Sequence, residues 1–417
     1  MRQFAGILIA FVMLVIMLKA WPKVFKGKKA PLGLVLFLTG LIMAVIGGLT
    51  VQSMGTSFVN VFANKSSRMT LIVVLEIGIL GNLLKQYGIL NKIVEALSQL
   101  VPNKKTLIMT LPAIMGLLPV PGGAFLSAPF VDSLGNDLQL DGGRKSVINL
   151  YFRHCSMFLL PYNTTMLAVM AALPEINVYH LIGLNIPFVV IYLIGSYFCY
   201  VRTAPDVIVE QKEGKGQALK EVLLYLSPVY MALLLNVLFG LTMDISLLIC
   251  IVWTYCLIGK DKSQYFQNIK KGINLSNVFM LMGVYYMQNT VKSMDYVMGS
   301  VSELLTGQSV LGFALLIPVI AVALGLSTGV NLVPMGILFP FVAGMNLPVM
   351  AQTVYAMYVV VWSFFGYYYS PFHLCHLLTI KYMGCDANPV YKTHLKMMPI
   401  VLVAGVGLFL LYYTVLL

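Results

Sequence analysis

The chain is poor in charged residues. Only 10% of its 417 residues are Asp, Glu, Lys or Arg, whereas soluble domains carry about 25%. Hydrophobic residues make up 59%, and apolar runs near the ~20 residues that cross a bilayer recur along the sequence. This composition excludes a soluble globular domain and predicts an all-α polytopic membrane protein.

Several catalytic and targeting signatures are also missing. The sequence has no Walker phosphate loop and no HExxH motif, so neither an ATP-driven pump nor a zinc hydrolase is indicated. Its six cysteines show no CxxC spacing and fall mostly in apolar segments, where we expect small core residues. Residues 1–20 lack a small-x-small cleavage site, which favours a retained first helix over a signal peptide.

The basic residues lie mainly between the apolar runs. Lys and Arg outnumber Asp and Glu by 27 to 15, and the positive-inside rule assigns such loops to the cytoplasm. The charge therefore predicts contact with membrane lipid rather than with nucleic acid. Placing all five long basic loops on one side fits about ten spanning helices, two of them broken, plus two re-entrant hairpins. Both termini are then extracytoplasmic.

Two stretches between the early spans differ in character. Residues 52–67 are polar and are expected to form a link. Residues 85–100 place Ile89, Ile93 and Leu97 on one face, which predicts an amphipathic helix.

The first hairpin is predicted at residues 106–134. Its centre reads Leu-Pro-Val-Pro-Gly-Gly-Ala at 118–124, and a continuous helix does not tolerate these residues. Each leg of about 14 residues reaches only about 21 Å, short of the ~30 Å hydrocarbon core. The segment is expected to enter and leave on one side, with Pro121, Gly122 and Gly123 at a tip shielded from lipid.

Three further apolar segments are interrupted. A second hairpin, 310–343, breaks at 327–331; broken spans at 146–172 and 351–380 break at 161–165 and 370–373. Half-helix N-termini offer free N–H groups to an anion, and unwound carbonyls with Ser, Thr and Asn oxygens suit Na⁺. The alternative is that these small polar residues only repair kinks and join helices.

The two halves of the chain carry these features in the same order. At a separation of about 207 residues, Asn82 and Lys85 match Asn289 and Lys292. The loop charges turn the halves in opposite directions, which predicts an inverted-topology repeat of the kind found in secondary transporters. The predicted units are a first repeat (1–201), a cytoplasmic linker (202–221) and a second repeat (222–417), each repeat with its own scaffold helices.

Ionisable residues occur inside apolar runs. Such residues usually face the protein interior or a cavity. Arg153 is expected to hold an anionic group through two N–H groups, or to pair with Asp132 or Glu76. Glu76 and His154 are the candidates for ion coupling; the alternatives are a carboxylate partner of Arg153 and a structural histidine.

His373 and His376 lie one helical turn apart, with Cys375 between them. The spacing puts both imidazoles on one helical face, but the sequence offers no evident third ligand and no zinc signature. We therefore expect no metal site, and no cofactor beyond a coupling Na⁺ or H⁺.

The substrate site is expected to combine the four breaks with the buried arginine. The candidate residues are Pro121, Gly122, Gly123, Arg153, Asn163, Thr164, Thr165, Ser327, Thr328, Gly329, Asn331, Ser370 and His373.

Two motifs, the Pro-Val-Pro-Gly-Gly tip and Ile148-Asn149-Leu150-Tyr151-Phe152-Arg153-His154, carry a resemblance to a known family. With them, the chain resembles an uncharacterised prokaryotic integral-membrane family of the ion transporter superfamily. Relatives there include gluconate permeases, arsenite pumps and divalent-anion/sodium symporters. The positions that match its pattern are Pro121, Gly122, Gly123, Asn149, Arg153 and His154. The family often continues with an aromatic residue and an acid, where this chain has Cys155 and Ser156.

The resemblance implies more than the residues alone. It implies a homodimer in the plasma (inner) membrane of a prokaryote, with a scaffold domain and a mobile transport domain that contains both hairpins. It also implies elevator-type alternating access driven by an ion gradient.

The sequence thus predicts a secondary active transporter, not an enzyme, that moves a small anionic solute coupled to H⁺ or Na⁺. One alternative is an intramembrane enzyme acting on a lipid or lipid-linked substrate, motivated by Arg153, His154, His373 and His376 within apolar runs. The near-symmetric repeat argues against it. The other alternative is an uncoupled channel.

Overall fold

The computed structural model describes residues 2–25, 30–117, 123–208, 214–258, 262–306, 310–345 and 347–416. Within these ranges the chain forms helices joined by loops and no β-strand, although Asn103 and Ile208 make an isolated bridge. The helices, in chain order, are α1 (Arg2–Val24), α2 (Leu32–Gly47), α3 (Val51–Ala63), α4 (Lys65–Gln86), α5 (Ile89–Leu100), α6 (Lys104–Leu117), α7 (Gly123–Asp137), α8 (Gly142–His154), α9 (Thr164–Ala172), α10 (Val178–Ser196), α11 (Lys215–Phe239), α12 (Met243–Leu257), α13 (Tyr265–Gly272), α14 (Leu275–Lys292), α15 (Asp295–Thr306), α16 (Val310–Thr328), α17 (Leu332–Gly344), α18 (Val349–Tyr368), α19 (Leu374–Met383), α20 (Ala387–His394) and α21 (Met398–Leu416). A 3₁₀ turn, Cys155–Phe158, follows α8, and a π-helical segment, Tyr197–Val201, extends α10.

Six of the described helices are long and apolar enough to cross a membrane. They are α1, α4, α10 with its extension, α11, α18 and α21. Shorter apolar helices coincide with α2, α12, most of α16, and α17. The protein is therefore a multi-pass helical membrane protein, as the composition predicts.

Burial separates peripheral helices from a central one. In the apolar windows of α1, α11 and α21 only 22%, 28% and 28% of residues are buried, whereas 83% are buried in that of α18. Apolar side chains of a peripheral helix need no protein partner where lipid surrounds them. The second broken span, to which α18 belongs, thus lies at the core of the molecule.

Most packing pairs fall into two groups, which meet where α14 packs on α17 and α4 on α9. In the first, α2 packs along α1 and α14, while α4 contacts α12 and α13. In the second, α6 contacts α7 and α8, α16 contacts α17 and α18, α7 contacts α19, and α9 contacts α17. The two predicted hairpins and the two broken spans are thus assembled on one another.

The predicted link at 52–67 is wrong, because residues 51–63 form α3. Thr50 caps the N-terminus of this helix, because its hydroxyl accepts from the Ser53 backbone N–H at 3.1 Å. One polar side chain that indicated a link instead caps a helix, and the Ser57 hydroxyl lies 3.2 Å from the Ser293 hydroxyl at the end of α14. The Ser57 backbone carbonyl also accepts from Asn289 on α14. Helix α11 begins at Lys215, within the predicted linker 202–221.

The amphipathic helix predicted at 85–100 is confirmed as α5. Its buried face contains Ile89, Leu90, Ile93, Val94, Ala96 and Leu97. Its partner is α11.

The three predicted interruptions that lie within the described residues each separate two helices. The first hairpin has its legs in α6 and α7; its tip, including Pro121 and Gly122, lies outside the described residues, and Gly123 opens α7. The second changes helix at 329–331, between α16 and α17. The broken spans are interrupted at 155–163 and 369–373, so each contributes a new helical N-terminus, at α9 and at α19.

Candidate functional site

The interruptions of the second hairpin and of both broken spans meet in space. Asn331 donates through Nδ2 to Thr165 Oγ1 at 2.8 Å, joining the hairpin to the start of α9. Ser370 donates to the Leu326 carbonyl at 2.6 Å, joining the same hairpin to the second break. The ring centroids of His154 and His373 are 5.0 Å apart, so the end of α8 also lies beside the start of α19.

The two broken spans restart differently. Asn163 caps α9, since its Oδ1 accepts from the Thr165 backbone N–H at 3.0 Å, whereas Ser370 Oγ accepts from the Phe372 N–H at 3.1 Å in the turn before α19, and His373 begins that helix without a side-chain cap. The cap of α9 satisfies one of the free donors at a helix start, and the first-turn N–H groups of both helices carry partial positive charge. Thr164 is the first residue of α9.

Gly329 permits the close approach of the second hairpin to the second break. Its φ is +67°, and a Cβ there would lie 2.6 Å from the Phe372 carbonyl carbon. No L side chain fits both conditions without a shift.

The first hairpin is held by α8. Asn149, fully buried, donates to the Ala124 carbonyl at 3.0 Å and to Thr379 Oγ1 at 3.1 Å, and accepts from Ser127 at 2.6 Å. This one amide therefore connects α7, α8 and α19.

Arg153 lies against the end of the other leg of this hairpin. It donates through Nη1 to the Met115 carbonyl at 2.8 Å. A Cβ on Gly116 would lie only 2.1 Å from the Arg153 carbonyl oxygen, so α6 and α8 are in backbone contact here. The carbonyl that the guanidinium binds, that of Met115, is separated by only two residues from segment 118–122, which lies outside the described residues.

No described carboxylate pairs with Arg153. Among the described side chains, the ion pairs are Lys104–Asp137, Lys105–Asp206 and Lys145–Asp132. Asp132 is thus engaged by Lys145 at 2.5 Å and is not the arginine's partner. Glu76 is not within ion-pair distance of it either.

Glu76 lies elsewhere, on α4. Its Oε2 is buried with no hydrogen-bond partner in the described chain, and Asp244, at the start of α12, is close enough to repel it electrostatically. Two neighbouring carboxylates in an apolar setting repel each other. One of the two groups must therefore carry a proton, or a cation must lie between them. This pair is part of the α4–α12 contact rather than of the convergent breaks.

Four of the chain's five histidines lie close together. His154 and His373, with Cys375, each offer a ligand atom, and these three atoms lie within 4.8 Å of one another. Next to them, His376 and His394 share a hydrogen bond between their Nε2 atoms at 2.9 Å. The third candidate ligand, which the sequence did not reveal, is His154, about 220 residues away in the chain.

Other candidate hydroxyls serve their own helix. Ser327 donates to Ala323 at 2.7 Å, and Thr328 donates to Leu324 at 2.7 Å. Gly325-Leu326-Ser327-Thr328-Gly329 has the spacing of a hydrolase nucleophile motif. However, that motif works on a sharp strand-to-helix turn, whereas Ser327 lies in the last turn of α16.

Sequence reasoning misjudged one residue of this region and overlooked another. It weighed Cys375 with His373 and His376 but assigned it no ligand role, because the third ligand, His154, is distant in the sequence. Gly116 was overlooked because its role depends on the backbone of α8, which no local pattern reveals.

Comparison with known proteins places the chain in a family without assigning it an activity. No curated protein matches it. A family model described as "Protein of unknown function (DUF401)" matches residues 7–415. Because this match covers nearly all of the sequence, the chain belongs to the DUF401 family.

Proposed function

We propose that this protein is a secondary active transporter that moves a small anion across the membrane. The observation that carries the proposal is Arg153, a partly buried cation with a hydrogen bond to Met115 and no described carboxylate partner. An uncompensated charge in an apolar setting costs several kcal/mol. An anionic solute would supply the missing charge, and the guanidinium suits carboxylate or phosphate-like groups.

The convergent breaks would supply further binding groups. The second hairpin touches the N-terminus of α9 through Asn331 and the second break through Ser370. The start of α19 lies close to Arg153, which interacts electrostatically with Cys375 in its first turn, and a positive helix end favours an anion over a neutral solute. The tip of the first hairpin would complete the site with Pro121, Gly122 and Gly123.

The inverted repeat is supported by matching contacts between the halves. Asn82 on α4 donates to the Asn268 carbonyl on α13 at 2.7 Å, and Asn289 on α14 donates to the Ser57 carbonyl on α3 at 3.0 Å. These asparagines are the pair that the sequence offset relates. Each bond crosses from one half to the other, as a pseudo-two-fold axis requires.

The two packing groups support an elevator mechanism. The group built on α2, α4, α12 and α14 would be the scaffold, and the hairpins with the broken spans would be the transport domain. We propose a homodimer in the plasma (inner) membrane of a prokaryote, with re-entrant hairpins and both termini outside. Coupling is to H⁺ or Na⁺, with Glu76 and His154 as the candidate residues.

An intramembrane enzyme is the less favoured alternative. Its motivation was the group of histidines, but the hydroxyls beside them donate to backbone carbonyls, Ser370 to Leu326 and Ser327 to Ala323. A nucleophile instead needs a base as its partner.

Anion binding to the purified protein tests the role of Arg153. A panel of small carboxylates and oxyanions should contain one that raises the unfolding temperature, since a ligand at 100 times its dissociation constant adds about 2.7 kcal/mol. Arg153→Gln should abolish that rise, because the glutamine amide is polar but uncharged. The control is Arg202→Gln. Arg202 is exposed and directly follows the π-helical segment that extends α10, so this variant should keep the rise. An unchanged rise in folded Arg153→Gln would refute the anion site.

A further inference from the structure

The anion site proposed at Arg153 uses none of His154, His373 and Cys375, although His373 was a candidate from the sequence. The three residues come from the end of α8 and the start of α19, and each offers a ligand atom within 4.8 Å of the other two. Metal bonds of about 2.0 Å to nitrogen and 2.3 Å to sulfur place ligand atoms about 3.5–4 Å apart. The cluster would therefore have to contract by only about 1 Å to enclose an ion.

The hydrogen bonds of both imidazoles fix the tautomer that a metal needs. His154 Nδ1 lies 2.7 Å from the Leu150 carbonyl, and His373 Nδ1 lies 3.4 Å from the Tyr368 carbonyl. A carbonyl can only accept, so the neutral rings carry their proton on Nδ1 and a lone pair on Nε2. A backbone carbonyl on the second ring nitrogen is a common partner of metal-binding histidines.

His373 supplies an independent indication of a ligand. Its side chain is 1% exposed, and its Nε2 has no hydrogen-bond partner among the described atoms. A buried acceptor without a donor costs about 1–3 kcal/mol, and most such groups in proteins have a partner. A metal ion on Nε2 would supply it.

We propose that His154, His373 and Cys375 form a binding site for a monovalent soft metal ion, Cu(I). The donor set excludes Ca²⁺ and Mg²⁺, which take oxygen ligands, and no carboxylate belongs to the cluster. Thiolate with imidazole suits copper and zinc. The choice between these two depends on charge.

Charge balance favours Cu(I) over Zn²⁺. Two neutral imidazoles, one thiolate and Cu(I) have no net charge, whereas Zn²⁺ leaves one positive charge. Arg153, adjacent to His154, already brings a positive charge that interacts with Cys375. The rings around His154 are those of Phe364, Tyr367, Tyr368 and His373, which offer no compensating acid. A neutral complex is the least costly to bury.

This inference goes beyond the proposed function and does not rest on it. It does bear on coupling, because metal binding occupies the Nε2 lone pairs of His154 and His373. The carboxyl pair of Glu76 and Asp244 would then be left as the coupling group.

Cu(I) binding by the full-length protein tests the site. The protein in detergent would be titrated without oxygen against Cu(I) held by a chromogenic chelator, with the exposed Cys256 replaced by Ser to remove one accessible thiol. We expect one tightly bound Cu(I) per chain, and X-ray absorption with one sulfur and two imidazole ligands. Cys375→Ser and His373→Gln should each weaken binding by more than the 10–100-fold that loss of an outer-shell partner costs.

Matched variants separate this site from adventitious thiols and imidazoles. Cys385→Ser and His180→Gln, which leave the cluster intact, should bind Cu(I) as tightly as the parent protein. Cys375→Ser changes one atom, so its fold can be checked by its elution volume in detergent and its unfolding temperature without ligand. Undiminished Cu(I) binding in folded Cys375→Ser, or binding of Zn²⁺ but not Cu(I), would overturn the proposal.

Discussion

At the scale of single residues, the polar groups around Arg153 divide into two sets. Asn149, Asn163 and Ser370 have their hydrogen bonds to neighbouring helices or to a helix start satisfied. Two other residues lack a partner. Arg153 has no described carboxylate to balance its charge, and His373 Nε2 has no described hydrogen-bond donor. A satisfied buried polar group is expected to hold the fold, whereas an unsatisfied one within a cluster of ligand-type side chains is a candidate for binding.

Gly329 is the residue at which backbone conformation has a measurable consequence. Gly329→Ala should lower the free energy of unfolding by roughly 1–3 kcal/mol. The alanine would be strained at the positive φ, and its Cβ would displace the backbone of Phe372. The measurement is unfolding of the purified protein in increasing denaturing detergent.

The control for this substitution is Gly407→Ala on α21. A Cβ there meets nothing within 4 Å, so stability should be unchanged or slightly higher. Equal stability of Gly329→Ala and the parent protein would mean that the second hairpin tolerates a shift away from α19.

At the scale of helices, proline and glycine predicted the interruptions well. The breaks at 161–165, 327–331 and 370–373 all fall at or beside observed helix ends, because these residues act locally on the backbone. The helix α3 could not be predicted in the same way. Its polar face looked like a link, and its contact with α14 is made by a residue more than 200 positions away.

The orientation of the hairpins gives a test at this scale. Gln139 lies between α7 and α8, and Val349 begins α18; both are exposed. Single cysteines at these positions, with Cys199 and Cys256 replaced by Ser, should react with impermeant thiol reagents from opposite sides of the membrane. The inverted repeat requires this outcome, since each position follows the corresponding hairpin of its half.

A second exposed position checks the labelling. Glu175, between α9 and α10, should react from the same side as Val349. Labelling of Gln139→Cys and Val349→Cys from one side would contradict the repeat.

At the scale of the whole molecule, the sequence predicted a multi-pass helical protein and the identity of the segments at its centre. It did not predict which residues of those segments touch. The contacts of Arg153 with Met115, of Asn331 with Thr165, and of His154 with His373 all join distant parts of the chain. They arise from packing of whole helices, which local propensity and hydrophobic periodicity do not encode.

The most direct test of the account is solute uptake by proteoliposomes. The anion that stabilises the purified protein would be supplied outside, with an H⁺ or a Na⁺ gradient imposed in separate experiments. We expect accumulation of the anion with one of these gradients, no accumulation without it, and background uptake by Arg153→Gln at equal protein incorporation. Flux that ignores both gradients, or equal uptake by Arg153→Gln, would contradict coupled anion transport at this arginine.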